Sequence, residues 1–415
     1  MREMTGIVAI VAMGVAACTG SDTTWTGTVT DSAGIQIVAN PERGMWPAGT
    51  GWTVEEEMKI GAVEGELEYQ FGQIGFVTVD SQDRLYVLDA QAQEIRVFSP
   101  DGKFLHRIGR PGEGPGELKG AIYVVMGAGD TLFVPDMQTQ RLNRFATDGT
   151  ALTSVRMSIE DGLPAVFQAT DAGVIAVQIR PLSLPNRPAP DSMDAIIRLE
   201  SDGSHGDTLM RFPSGRTLSL GGATPEINLY SAEPAWQLRD DGKILFGVND
   251  QYRISLYGTE GMLERIVTRP FTREPVSQRD KDAIMGFMEK AWLDAGVPPA
   301  ALQQLKGIVH FGEFFPAFSA IQSGLDGTTW IQHVQSAAAL SDEELEDFNL
   351  IEDSGAPEWD VFDADGRYLG IVAMPPRFAP RLFREDKIYG VWRDDLDVQH
   401  VVRLRIVRPD APSAE

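Results

Sequence analysis

The chain holds one cysteine, Cys18, in 415 residues. That excludes an internal disulfide and any zinc site built on several thiolates. Basic residues are in deficit: 36 Lys and Arg stand against 60 Asp and Glu, for a net charge of −24. So negative a surface repels phosphate backbones, which excludes nucleic acid as a partner. The five histidines, His106, His205, His310, His333 and His400, are scattered without ligand spacing and give no support to a zinc or haem centre. There is no Gly-x-Ser-x-Gly turn, and the Gly-rich stretch 109–116 is broken by two prolines and opens no helix, so neither a nucleophile elbow nor a phosphate cradle is present. Long apolar runs are missing too. The longest near the start, Ile7 to Val15, is too short for a permanent crossing of a bilayer about 30 Å thick.

That short run follows Met1-Arg2-Glu3-Met4 and ends in Val15-Ala16-Ala17-Cys18, the pattern of a secretion signal. Small residues before a cysteine resemble the bacterial lipoprotein signal, in which the cysteine is lipidated and becomes the new N-terminus. The resemblance makes residues 1–17 the signal and Cys18 the lipid attachment site, with polar residues up to Thr24 as a tether. The other reading is an ordinary signal peptide with a chance cysteine. Thr19 after the cysteine resembles enterobacterial lipoproteins sorted to the outer membrane. The expected address is the cell envelope, on the outer membrane facing the periplasm or on the cell surface, with the membrane as a partner through lipid.

With 43% hydrophobic residues the mature chain can bury a large core, and that core repeats. Val77 to Asp80, Leu85 to Asp89, Ile95 to Phe98 and Lys103 to Ile108 are four strand-like runs separated by turn residues, a four-stranded antiparallel unit. The second run is apolar on both faces, as a strand between neighbouring sheets should be, and the fourth carries Lys103, His106 and Arg107, as an outer edge should. Copies recur at Leu132 to Gly149, Asp171 to Gly203, Asp241 to Gly261, Asp326 to Gly366 and Glu385 to Val407. Six such units predict an all-β six-bladed β-propeller. With Thr268 to Pro316 set aside as a helical insertion, residues 52–407 divide into units of about 51 residues, near the ~40–50 of propeller repeats. The sixth unit ends without an outer strand, and Trp52 to Ile60 has the composition to supply it. Residues 18–51 read as tether plus an extra edge strand at Ile35 to Val38, and 408–415 as a tail.

Three features carry a family likeness: Arg110-Pro-Gly-Glu-Gly-Pro-Gly-Glu117, the Tyr-Val-Leu-Asp and Phe-Ser-Pro-Asp-Gly repeat, and Lys387-Ile-Tyr-Gly-Val-Trp-Arg-Asp-Asp395. They resemble the NHL-like six-bladed β-propeller lipoproteins of bacteria over nearly all of the mature chain. The likeness implies the fold and transfers no catalytic residue. Propellers host unrelated activities, so function is argued from the site.

Counting strands from the axis outward, first-to-second and third-to-fourth turns share one end of each blade. In this chain those turns are short, with Asp-Gly pairs such as Asp101-Gly102 and Asp148-Gly149, where Gly supplies positive φ. The long connections fall at the other end: Arg110 to Glu117, Arg180 to Asp191, Thr268 to Pro316 and Ala337 to Glu358. Long loops on a rigid scaffold concentrate binding, so the loop end is the expected site.

Asp89, Asp136 and Asn249 recur there at the ends of second strands, with Arg110, Arg180 and Arg393 in neighbouring segments. Together they form a candidate ligand-binding rim of both charge signs for a polar or zwitterionic partner. The alternative is local: Asp and Asn at strand ends bond nearby turn backbone. No cofactor is expected, a divalent cation in the central channel being the one alternative that a carboxylate ring would allow. In the insertion, Ser277 and Asp280 form a capping pair ahead of Ile284, Phe287, Met288, Ala291 and Trp292 at helical spacing, which predicts a helix. It would serve as a lid bringing His310 and Glu313 to a pocket, or as a decoration packing its stripe. Two functions remain. One is a monomeric, non-catalytic binding or scaffolding module for a protein, peptide or glycan. The other is a metal-dependent hydrolase or lyase of the gluconolactonase-like kind. The lack of a catalytic constellation favours the first.

Overall fold

A computed structural model describes residues 24–157, 162–183, 193–214, 218–219, 226–346, 348 and 355–409. Cys18, the signal, most of the Arg180 to Asp191 loop and the end of the tail lie outside the described residues. Six antiparallel sheets form the propeller. Blade one runs Ile74–Val79, Leu85–Asp89, Glu94–Phe98, Phe104–Ile108. Its second strand is buried along its whole length and its fourth is only intermittently so, as expected for a strand flanked by two sheets and for a rim strand. Blades two to five begin with inner strands Val125–Gly127, Leu163–Ala169, Pro234–Leu238 and Ala320–Ser323.

Blade six takes three strands from the C-terminus, Phe378–Arg384, Lys387–Arg393 and Gln399–Val407, and its fourth, Thr53–Ile60, from the N-terminus. This pairing ties the two ends of the chain and removes the open edges that an unclosed ring would expose. The Gln399 side chain also accepts a bond from the Ile74 amide at 2.5 Å, joining blade six to blade one. Six apolar clusters fill the six interfaces between blades. Tyr86, Leu88 and Val134 lie between blades one and two, Leu85, Val87 and Tyr389 between six and one, and Trp330, Trp359 and Ile388 between five and six. Each blade therefore buries its faces only against neighbours.

Before the closing strand, the chain belts the outside of the ring. Thr28–Ser32 and Ile35–Ala39 form a hairpin, and Ile35–Ala39 pairs in parallel with the outer strand Leu263–Thr268 of blade four, making a six-stranded sheet. The turn is Ala33-Gly34, both at positive φ, as a two-residue hairpin requires. Buried Asn40 then clamps blade four to blade five. Its amide donates to the Thr268 and Gly366 carbonyls at 3.2 and 2.9 Å, and its oxygen accepts from the Tyr368 amide at 2.7 Å and the Trp25 indole at 2.9 Å.

The insertion carries two helices, α1 (Gln278–Asp294) and α2 (Pro299–Lys306), and α1 opens with the reciprocal Ser277/Asp280 capping box. Its stripe is consumed locally. Ile284 and Met288 pack with Ala337 and Phe348, flanked by Phe287, Trp292, Leu229 and Phe311. This is a small satellite core of connections from blades three to five, and it favours the decoration reading of the helix.

Candidate functional site

The second-strand Asp and Asn residues are structural latches. Asp89, fully buried, accepts the amides of Gly72 (2.9 Å) and Gln73 (3.3 Å) ahead of its own blade and those of Gln91 (3.1 Å) and Ala92 (2.9 Å) after it. It also pairs with buried Arg96 at 3.1 Å. Asp136 accepts from Lys119 N at 2.7 Å and Thr139 N at 2.9 Å. Asn249 accepts from Glu233 N at 2.6 Å and donates to Phe318 O at 2.8 Å. In each case a strand-end side chain grips the backbone 16 or 17 residues upstream, where the chain enters the inner strand. These atoms satisfy buried backbone donors.

The arginines are spread out. Arg110 pairs with Glu117 at 2.9 Å, Arg180 with buried Asp194 at 3.3 Å, and Arg393 with Asp397 at 2.7 Å. Among the described residues no group of three or more His, Cys, Asp or Glu is placed to hold a metal ion.

The channel itself opens elsewhere. A cavity of about 470 Å³ occupies the end bounded by the short first turns, with Asp80, Asp130, Asp171, Asp240 and Arg384 around its mouth. Its walls are inner strands of all six blades. Phe76, Tyr123 and Phe167, from blades one to three, form an aromatic cluster with ring centroids 5.4 and 6.1 Å apart. Leu382 and Phe383 of blade six complete the apolar lining. On the blade-six inner strand the register slips between Pro380 and Leu382, so Arg381 is the extra residue of a bulge, a device that re-aims side chains. Its charge reaches Tyr123, whose hydroxyl burial pushes its pKa up.

The mouth is stitched from blade to blade. Ser81 donates to both Asp130 oxygens, at 3.0 and 2.6 Å. Gln168 bridges blades three and four, donating to Trp236 O (3.0 Å) and accepting from Leu238 N (2.7 Å). That bridge sets the turn in which the Asp171 amide donates to Asp240 Oδ1 at 2.8 Å. From blade six, Arg384 donates through Nη1 to Asp80 O at 2.8 Å and lies 3.4 Å through Nε from Asp171 Oδ1. Partial burial, followed by the neighbouring Asp240 charge, pushes the Asp171 carboxyl up to about 6, with Arg384 opposing.

Sequence reasoning treated the short turns at this end as hairpin punctuation and singled out none of Asp80, Asp130, Asp171, Asp240 or Arg384. The signal available was the doubled Asp240-Asp241 ahead of Gly242 and the basic Arg384 where the repeat calls for a turn.

The family model for the DUF5128 6-bladed beta-propeller matches residues 63–156. No curated protein matches the chain. Among solved structures, a member of the DUF4221 family from Bacteroides vulgatus is 12% identical with a TM-score of 0.51, over 86% of this chain and 98% of its own. A protein of Bacteroides fragilis described as exported is 12% identical with a TM-score of 0.50, over 89% of this chain and 99% of its own. At such identity the likeness carries architecture alone, and the architecture of this chain is a six-bladed β-propeller.

Proposed function

We propose that this protein is a lipid-anchored propeller of the cell envelope that captures a small polar ligand in the turn-end cavity of its channel without turning it over. The observation that carries the reading is the cavity. It is of ligand size, it is built from every blade, and its rim holds polar atoms that have no partner among the described residues, the second oxygens of Asp171 and Asp240 and Nη2 of Arg384. Asp89, Asp136 and Asn249 at the loop end are engaged with the backbone entering their own blades, which supports a binding site at the opposite end of the channel. The envelope address rests on the signal and Cys18, and lipid there would hold an acidic domain at a bilayer surface.

The test is a thermal-shift screen of amino acids, short peptides, sugars and nucleosides against the wild type and Ala172→Trp, which places bulk at the mouth. A ligand at 100 times its Kd adds about 2.7 kcal/mol of stability. Stabilisation of the wild type alone is expected. Equal shifts in both proteins would place binding elsewhere.

A further inference from the structure

Blades three and six stand opposite one another in a ring of six. Asp171 ends the inner strand turn of blade three and Arg384 ends the inner strand of blade six. The 3.4 Å pair between them therefore spans the channel mouth, with Asp80, Ser81 and Asp130 on one side and Asp240, Ser323 and Glu385 on the other. An entering ligand has to part or flank this bar.

The chemistry of the bar selects the ligand. A cation alone would satisfy Asp171 and strand the guanidinium, and an anion alone would do the reverse. Stranding either partner in a partly desolvated site is unfavourable. A zwitterion replaces both halves at once. Asp171 and Asp240 each keep an oxygen for an ammonium group, and Arg384 keeps Nη2, and its salt-bridging Nε once parted, for a carboxylate in planar two-point contact. Below the bar the cavity wall mixes Gln168, Gln237, Gln322 and Arg381 with Leu382 and Phe383, and it closes toward the aromatic cluster of Phe76, Tyr123 and Phe167. The geometry points to a free α-amino acid with an aromatic side chain, held by its ammonium and carboxylate at the Asp171–Arg384 bar with its ring directed down the channel toward Phe76, Tyr123 and Phe167. This assignment rests on the turn-end binding reading and names its ligand class.

Calorimetry with four probes tests it: L-tryptophan, tryptamine without the carboxylate, indole-3-propionate without the ammonium, and glycine without the ring. L-tryptophan is expected to bind at least about tenfold more tightly than each of the others, the worth of one charge-assisted contact or one buried ring. In Arg384→Met the preference over tryptamine should vanish. In Asp171→Asn the preference over indole-3-propionate should vanish. Circular dichroism and melting of both variants establish that they are folded. Tryptamine or indole-3-propionate binding the wild type as tightly as L-tryptophan would overturn the zwitterion assignment. Absence of L-tryptophan binding would overturn it as well. In either case a different compound from the screen that stabilises the wild type and not Ala172→Trp would leave the turn-end reading standing, and its absence would remove both.

Discussion

Arg384 reaches Asp171 at 3.4 Å from the opposite blade, so an ion pair crosses the mouth of the channel and couples two halves of the ring. The same carboxylate has Asp240 beside it, which accepts from the Asp171 amide at 2.8 Å. Attraction across the channel and repulsion along the rim meet on one side chain, and that balance sets its titration.

Asp171 is expected to titrate near pH 6, followed by NMR of its side-chain carboxyl. Burial, Asp240, Glu385 and Asp83 push it up and Arg384 holds it down. Asp240→Asn should lower the midpoint and Arg384→Met should raise it. The folded state then binds this proton more tightly than the unfolded chain, so the stability linked to Asp171 is fully present below the unfolded value and is lost as pH rises through about 6. Asp171→Asn should accordingly raise the melting temperature slightly at pH 7.5 and leave it unchanged at pH 4. The effect is small because the side chain is 39% exposed. A lower melting temperature at pH 7.5 would show that the pair with Arg384 outweighs burial and Asp240.

The latch reading of Asp89 predicts a large loss of stability. Asp89→Ala removes the acceptor for four backbone amides and leaves buried Arg96 with Glu94 as its remaining carboxylate, so the loss comes from the orphaned amides together with the broken pair. Breaking such a pair costs about 3–5 kcal/mol. Urea denaturation should record a loss in that range. Ligand affinity in the surviving folded fraction should be unchanged, because the latch sits at the other end of the channel.

The belt and the closing strand should separate under truncation. Deleting residues before Pro41 removes the hairpin and Asn40 with its four bonds while Thr53–Ile60 stays to close blade six. That protein should fold cooperatively with a lower melting temperature. Deletion through Ile60 opens the ring and should abolish the cooperative transition. Equal melts for the two truncations would place the closure elsewhere.

Lipid on Cys18 is tested by detergent phase partitioning of the protein expressed in a bacterium. The wild type should enter the detergent phase and Cys18→Ser the aqueous phase, since each buried methylene of an acyl chain contributes about 0.8 kcal/mol. Equal partitioning would remove the anchor from the account.

The architecture was legible in the chain because each blade repeats the same local instructions. Leu85 to Asp89 alternates nothing and is buried throughout, Gly102 and Gly149 sit at positive φ in their turns, and Ser277 with Asp280 caps α1 as their spacing required. These signals act over a few residues. The proposed site was not legible for the opposite reason. The Asp171–Arg384 contact joins residues more than two hundred positions apart, and Asp171 lies in a repeat turn whose Asp residues carry an evident local role in shaping the turn. Asp89 and Asp136 follow the local alternative that strand-end carboxylates always offer. Their recurrence suggested a ring of ligands, yet what recurs is a bond to the backbone 17 residues upstream, a distance fixed by the hairpin between first and second strands.

The most direct measurement is hydrogen exchange by mass spectrometry with and without a saturating compound from the ligand screen. The account predicts slowed exchange in the first-turn segments around Ser81, Asp130, Asp171 and Asp240, which ring the cavity mouth, and no change in Arg110 to Glu117 or around Asp89 and Asp136. Protection confined to that loop end, with the four turns unaffected, would contradict it.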